Sequence, residues 1–286
     1  MLIITKFAPF VLFYIMLNVG MSTNKKNFIE VFKNLKVLLI GLVSQIIILP
    51  LIGFLFALYA TSDPVLKIGI ILITCMPSAV TSNYITKLAS GNVALSVTLT
   101  AISACLTFVT IPFFFLIVFP AVIGEITVLQ GLDFKKMSLS LLLMTTIPVL
   151  IGIFINTNFF IFVKKTNKFF SYFSLLLFLI IIFGAWFSEW NSISQLYKSI
   201  GILLAFISVT ILIIVNILVN VFNLNLENKK TIVIETFIQN GAMAIIVGEL
   251  SLGIGNGYMS VAVIYALLQY KILLLWWASK KFAINI

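Results

Sequence analysis

The sequence predicts an all-α polytopic membrane protein, and three observations carry that expectation. Hydrophobic residues fill 62% of the 286 positions and charged residues 9%, too little polar surface to cover the core of a water-soluble domain of this length. The apolar residues fall in runs of roughly 20, the length that crosses a bilayer as an α-helix. The strict alternation of a membrane β-strand is absent. These features predict a single helical membrane domain over 1–286.

The hydropathy runs define nine expected transmembrane helices, at about 4–21, 37–60, 66–90, 92–120, 136–156, 169–189, 198–222, 230–254 and 257–279. Short polar connections separate them, among them Ser22-Thr23-Asn24-Lys25-Lys26 and Thr61-Ser62-Asp63-Pro64. The lysines set an orientation. One side gathers Lys25, Lys26, Lys33, Lys36, Lys87, Lys164, Lys165, Lys168, Lys229, Lys230, Lys280 and Lys281; the other holds only Lys6, Lys67, Lys135, Lys136 and Lys198. Acids Asp63, Glu125, Asp133 and Glu189 favour the second side. The expected topology is therefore a multi-pass protein of the cell's inner (plasma) membrane, N-terminus outside and C-terminus cytoplasmic.

Composition also excludes function classes. The net charge of +10 comes entirely from lysine, placed at span ends where it meets headgroups rather than interleaved with aromatics to bind nucleic acid. Histidine is absent, which removes the commonest general base and zinc ligand. Cys75 and Cys105 lie apart inside apolar spans and read as small core residues. No nucleophile–base pair emerges, so no enzyme and no cofactor is expected. Nor does a signal-peptide cleavage site follow the first apolar stretch.

Polar groups inside spans are costly, about 2.5–3.5 kcal/mol for a charge at a helix centre, so their clustering is informative. The third span carries Cys75-Met76-Pro77-Ser78-Ala79-Val80-Thr81-Ser82-Asn83. Pro77 removes a backbone donor there, and the segment is either a kink or a true interruption. The eighth span carries Glu235-Thr236-Phe237-Ile238-Gln239-Asn240-Gly241, with Glu235 and Gln239 on one face and a breaker pair in mid-span. Ser96 and Thr100 share a face of the fourth span, and Ser44-Gln45 precede Pro50 in the second. The interrupted spans stand third among the first four and third among the last four. Four spans, one connecting span and four more give an inverted repeat, and paired breaks in such halves point to an ion and solute pathway.

Glu235 needs compensation. It pairs with Lys271, or carries a proton, or meets a mobile cation. The surrounding hydroxyls, amides and freed carbonyls favour the cation, with Na⁺ the natural occupant.

The run Ser82-Asn83-Tyr84-Ile85-Thr86-Lys87-Leu88-Ala89-Ser90-Gly91-Asn92-Val93-Ala94-Leu95-Ser96-Val97-Thr98-Leu99-Thr100 resembles the signature of the bile acid:sodium symporter family, as does Glu235-Thr236-Phe237-Ile238-Gln239-Asn240. The resemblance implies two discontinuous helices that cross at two sodium sites. One would use Ser82, Asn83, Ser96, Thr100 and Glu235. The other would use Gln45, Glu235 and Gln239 with the carbonyls of Thr236 and Ile238. It also implies a panel domain (4–21, 136–156, 169–189) moving against a core domain made of the other six spans. The chain resembles the nine-span members. Solute contacts would fall on Ser78, Ala79, Val80, Thr81, Asn240, Gln269 and Lys271. Ser78-Ala79-Val80 replaces the family's frequent Gly-Gly-Thr, and Gln269 stands where an asparagine is usual. The implied partners are sodium, a small organic anion (bile-acid-like, pantoate-like or another carboxylate) and the bilayer. The implied activity is sodium-coupled symport by alternating access. A proton-coupled or sodium-independent carrier of the same fold is the competing expectation; a receptor with a vestigial site is a weaker one.

Overall fold

The computed structural model describes residues 2–123, 133–188, 190–252 and 258–284; Glu125 and Glu189, counted in the charge asymmetry above, lie outside them. The elements in order are α1 (Leu2–Ser22), α2 (Lys25–Phe32), α3 (Leu35–Val43), α4 (Leu49–Tyr59), α5 (Pro64–Thr74), α6 (Val80–Leu88), α7 (Val93–Ile123), α8 (Phe134–Leu141), α9 (Ile147–Asn158), α10 (Phe160–Ser188), α11 (Trp190–Val221), α12 (Leu226–Phe237), α13 (Gly241–Leu252) and α14 (Tyr258–Ile284). Among the described residues, six helical stretches are long and apolar enough to cross a membrane: Leu35–Tyr59, Val93–Val122, Phe134–Asn158, Phe160–Phe187, Ile200–Val221 and Tyr258–Ala278. Shorter apolar helices cover Phe7–Ser22, Pro64–Thr74 and Gly241–Leu250. Large apolar side chains such as Phe113, Phe154, Phe187 and Ile202 face outward, as a lipid-facing surface requires. The chain is a multi-pass helical membrane protein.

Two of the long stretches contain a wide turn. Ser44–Ile48 and Leu142–Thr146 are π-helical and join α3 to α4 and α8 to α9. Each is followed at the second position of the next helix by a proline, Pro50 or Pro148. A proline offers no N–H to the carbonyl four residues back, and its ring crowds that carbonyl. Widening the preceding turn relieves both.

Helix α1 packs on α9 and α10. The contact with α9 is made backbone to backbone at Gly20 and Gly152: a Cβ on Gly152 would lie 2.3 Å from the Leu17 carbonyl oxygen. Elsewhere α5 packs on α4 and α14, and α11 on α12 and α14.

Three boundaries differ from expectation. The sixth span was expected to start at 169 behind a lysine-bearing loop, but α10 runs from Phe160, so Lys164, Lys165 and Lys168 are helical. Lysine is a good helix former, and its long stem lets the ammonium reach water from inside a helix. The seventh span, expected from 198, lies in a helix that starts at Trp190. The first connection, expected to be a polar turn, contains the amphipathic helix α2.

Both polar spans are interrupted, not merely kinked. Helix α5 ends at Thr74 and α6 begins at Val80; α12 ends at Phe237 and α13 begins at Gly241. The freed backbone groups of one break are satisfied by the other. Asn240 N donates to the Pro77 carbonyl at 2.9 Å, and Ala79 N to the Ile238 carbonyl at 3.2 Å, which makes Ser78 and Gln239 an isolated antiparallel bridge. Irregular backbone at membrane depth is tolerated where protein supplies the missing partners.

Candidate functional site

The paired breaks bring α6, α7 and α12 together around one carboxylate. Glu235, in the last turns of α12, is fully buried. Four hydroxyls donate to it: Ser82 and Ser96 to Oε1, each at 2.5 Å, and Ser78 and Thr100 to Oε2, at 2.6 and 2.8 Å. The amide oxygen of Asn83 lies behind them and accepts from Ser96 at 2.7 Å. Ser96 and Thr100 reach the same point because they are one turn apart on α7.

Oxygens at this point outnumber the available protons. Ser96 Oγ lies within hydrogen-bond distance of Asn83 Oδ1, Thr86 Oγ1 and Glu235 Oε1, yet a serine hydroxyl has one proton to give. An oxygen-only shell with a single carboxylate suits a hard cation of low charge. No group of three His, Cys, Asp or Glu capable of holding a metal occurs among the described residues.

A second set of oxygens sits beside the first. Gln45 is buried in the π turn between α3 and α4, and neither its Oε1 nor its Nε2 has a hydrogen-bond partner; Thr236 Oγ1 and Gln239 Oε1 are likewise buried and unpartnered. Gln239 Nε2 donates to the Thr236 carbonyl at 2.5 Å. Gln45 lines a small cavity with Cys75, Met76 and Pro77 of the first break, and the π turn contacts α12. Unpartnered buried amides in an apolar setting are costly, and a cation held by their oxygens would remove the oxygens' share of that cost.

The remaining expected residues divide. Ala79, Val80, Thr81 and Asn240 line one cavity of about 20 Å³ against Ile15 of α1 and Ser174 of α10. Asn240 also caps α13, accepting from Met243 N at 3.0 Å. Ser78, expected on the solute side, points its hydroxyl at Glu235. Gln269 is spent on backbone: its Oε1 accepts from Gln239 N at 2.9 Å and its Nε2 donates to the Gln239 carbonyl at 3.1 Å. Lys271 lies on an exposed face of α14, whereas the partners of buried Glu235 are hydroxyls, so the Glu235–Lys271 pair kept open above is not formed.

Sequence reasoning missed other contributors. Tyr270 OH meets Thr81 Oγ1 at 2.8 Å. The Gly91-Asn92 turn after α6 is clasped by α12: Asn92 N donates to Thr231 Oγ1 at 2.8 Å, and Asn92 Nδ2 to Asn228 Oδ1 at 3.0 Å. A Cβ on Gly91 would sit 2.8 Å from Thr231 Oγ1, so the close approach requires glycine. The available signal was Asn92 placed three residues before Leu95, whose N–H it caps.

A sequence profile of the Sodium Bile acid symporter family matches residues 9–196. The chain belongs to that family. The matched stretch includes Gln45, Ser82, Asn83, Ser96 and Thr100 and ends before Glu235. The chain is also similar to a probable chloroplastic sodium/metabolite cotransporter, BASS6, of Arabidopsis thaliana, at 32% identity over 151 residues, covering 51% of this chain and 35% of the relative. BASS3, a second chloroplastic relative from Oryza sativa subsp. japonica, is 32% identical over 143 residues, 50% of this chain and 32% of the relative. The sodium-dependent transporter YocS of Bacillus subtilis (strain 168), itself uncharacterised, is 34% identical over 109 residues, 38% of this chain and 34% of the relative. Each match thus spans about a third of the relative's length. The family and these relatives are transporters, not enzymes.

Proposed function

We propose that this protein is a sodium-coupled secondary symporter of a small organic anion, working by alternating access. The observation that carries the reading is the fully buried Glu235 carboxylate, ringed by four hydroxyls and an amide oxygen where two interrupted helices meet. In this reading Na⁺ is a transported substrate. One ion is held by Ser82, Asn83, Ser96, Thr100 and Glu235. A second is held by Gln45, Glu235 and Gln239 with the carbonyls of Thr236 and Ile238. The sodium-dependent relatives support the coupling ion.

Nine spans follow if α1, the α5–α6 pair and the α12–α13 pair complete three crossings beside the six long stretches. They would form two inverted sets of four around a connecting span, with the N-terminus outside an inner (plasma) membrane. Helices α1, α8–α9 and α10 would be the panel and the rest the core. The anion would sit between them, at Ala79, Val80, Thr81 and Asn240, where the N-termini of α6 and α13 present the positive ends of two helix dipoles. Its carboxylate would gain from the adjacent sodium, which couples the two.

The test is cation specificity in purified protein. The melting midpoint should rise with NaCl but not with KCl or choline chloride at equal ionic strength, and small carboxylates should add to the rise only when sodium is present. Equal stabilisation by all three salts refutes sodium coupling; carboxylate stabilisation at zero sodium that follows pH supports the proton-coupled carrier instead.

A further inference from the structure

A polar feature that the Glu235 region does not use lies at the opposite end of the same helices. A cavity of about 600 Å³ opens between α6, α11, α12 and α14, lined by Leu88, Asn220, Lys229, Lys230, Trp276 and Trp277 among others. Both ammonium groups rest on neutral acceptors. Lys229 Nζ donates to Asn220 Oδ1 and Lys230 Nζ to the Ala89 carbonyl, each at 2.9 Å. Two positive charges thus face one cavity without a carboxylate among their hydrogen-bond partners, while the rest of the wall is mostly apolar.

The cavity does not end there. A second groove of about 610 Å³ continues between α11 and α14, sharing Asn216, Asn220 and Trp276 with the first and otherwise walled by residues such as Val209, Leu212 and Ile213. A soluble anion would satisfy the lysines but leave this groove unfilled. A neutral lipid would fill the groove but leave the lysines unpaired.

We propose that this is a binding site for an anionic phospholipid. The headgroup phosphate sits on Lys229 and Lys230, with an acyl chain along the α11–α14 groove. The chemistry is consistent at each point. Lysines beside a membrane surface attract anionic headgroups. Tryptophan favours the same depth, and lysine stems lie along apolar walls while their ammonium groups meet the phosphate. The site also spans α6 and α12, the halves of the two interrupted helices that are clasped through Asn92 and Thr231. A lipid bound here would brace the base of the helix crossing, whatever the chain transports.

The experiment uses the full chain purified in detergent. Phosphatidylglycerol and phosphatidylcholine with identical acyl chains are titrated separately, and retained lipid is counted by native mass spectrometry alongside the melting midpoint. Two lysines predict a preference for phosphatidylglycerol of roughly 10- to 30-fold. In K229Q/K230Q the preference should fall to within about twofold, with the melting midpoint in phosphatidylcholine unchanged as the control for folding. Inorganic phosphate at matched concentration should give no stabilisation. Equal retention of the two lipids overturns the proposal, as does an undiminished preference in the double variant. Full stabilisation by inorganic phosphate would also overturn it, by assigning the lysines to a soluble anion.

Discussion

At the scale of the residue, Glu235 is defined by what surrounds it. Four hydroxyls within 2.8 Å satisfy its lone pairs, yet their protons are also claimed by Asn83 and Thr86. A cation would resolve that competition by letting every oxygen act as a ligand and turning the protons outward. Glu235→Gln keeps the size and one acceptor but removes the charge. Sodium affinity should fall by at least about 30-fold, the equivalent of about 2 kcal/mol for a charge-assisted contact. The melting midpoint in KCl should stay level or rise, because a neutral amide is cheaper to bury than a carboxylate. Retained sodium-specific stabilisation in this variant would detach the carboxylate from the ion. Gln45 tests the second set of oxygens. Its amide is buried without a partner, so Gln45→Leu should not destabilise the sodium-free protein. If it removes one of two ion sites, the Hill coefficient for sodium should drop from about 2 to about 1; an unchanged coefficient would place the second ion elsewhere or nowhere.

At the scale of the element, the breaks are held by one another and by Gln269. That side chain accepts from the buried N–H of Gln239 and donates to its carbonyl, which Gly241 N also reaches. Gln269→Leu should destabilise by about 1–3 kcal/mol, the cost of the buried Gln239 N–H left unpaired while its carbonyl keeps Gly241 N, and the loss should appear with or without sodium. A loss confined to sodium-containing buffer would argue for an ion or solute role instead. Much of this region was legible in the sequence. Asn240-Gly241 announces its interruption locally, Pro77 marks its segment as either kinked or broken, and the i, i+4 spacing of Ser96 and Thr100 fixes a shared face whatever the tertiary structure. The facing direction of Ser78 was not legible. In an irregular segment no periodicity relates a residue to a side, and its orientation is set by a bridge to Gln239, remote in the chain. The role of Gln269 was hidden for the same reason, since it answers a backbone need created by another helix. The π turns before Pro50 and Pro148 escaped because a proline in an apolar run signals a disturbance without saying how the helix absorbs it.

At the scale of the whole molecule, alternating access requires that two packed bodies move past each other with little internal change. Helices α1 and α9 are suited to move as one, since Gly20 and Gly152 bring their backbones into contact, leaving no room for the two to slide. The surface between the proposed panel and core is different in kind. It contains the small cavity where Ile15 and Ser174 face Ala79, Val80 and Thr81, and the hydroxyl of Ser174 has no partner there. Such a surface is incompletely satisfied in this conformation, which suits one end point of a motion better than a permanent contact. Spin labels can measure that motion. Tyr84 on α6, at the edge of that cavity, and Tyr172 on α10 are 47% and 71% exposed, so both can be reached by a label. In a background where Cys75 and Cys105 are replaced by alanine, Tyr84→Cys and Tyr172→Cys labels should give two distance populations, with weights that shift when NaCl replaces KCl. Adding Glu235→Gln should remove the sodium response while leaving both populations present, since the carboxylate governs ion binding and not the ability to move. A single population, indifferent to sodium in the unsubstituted site, would mean that the two bodies form a fixed scaffold, and alternating access between them would have to be abandoned.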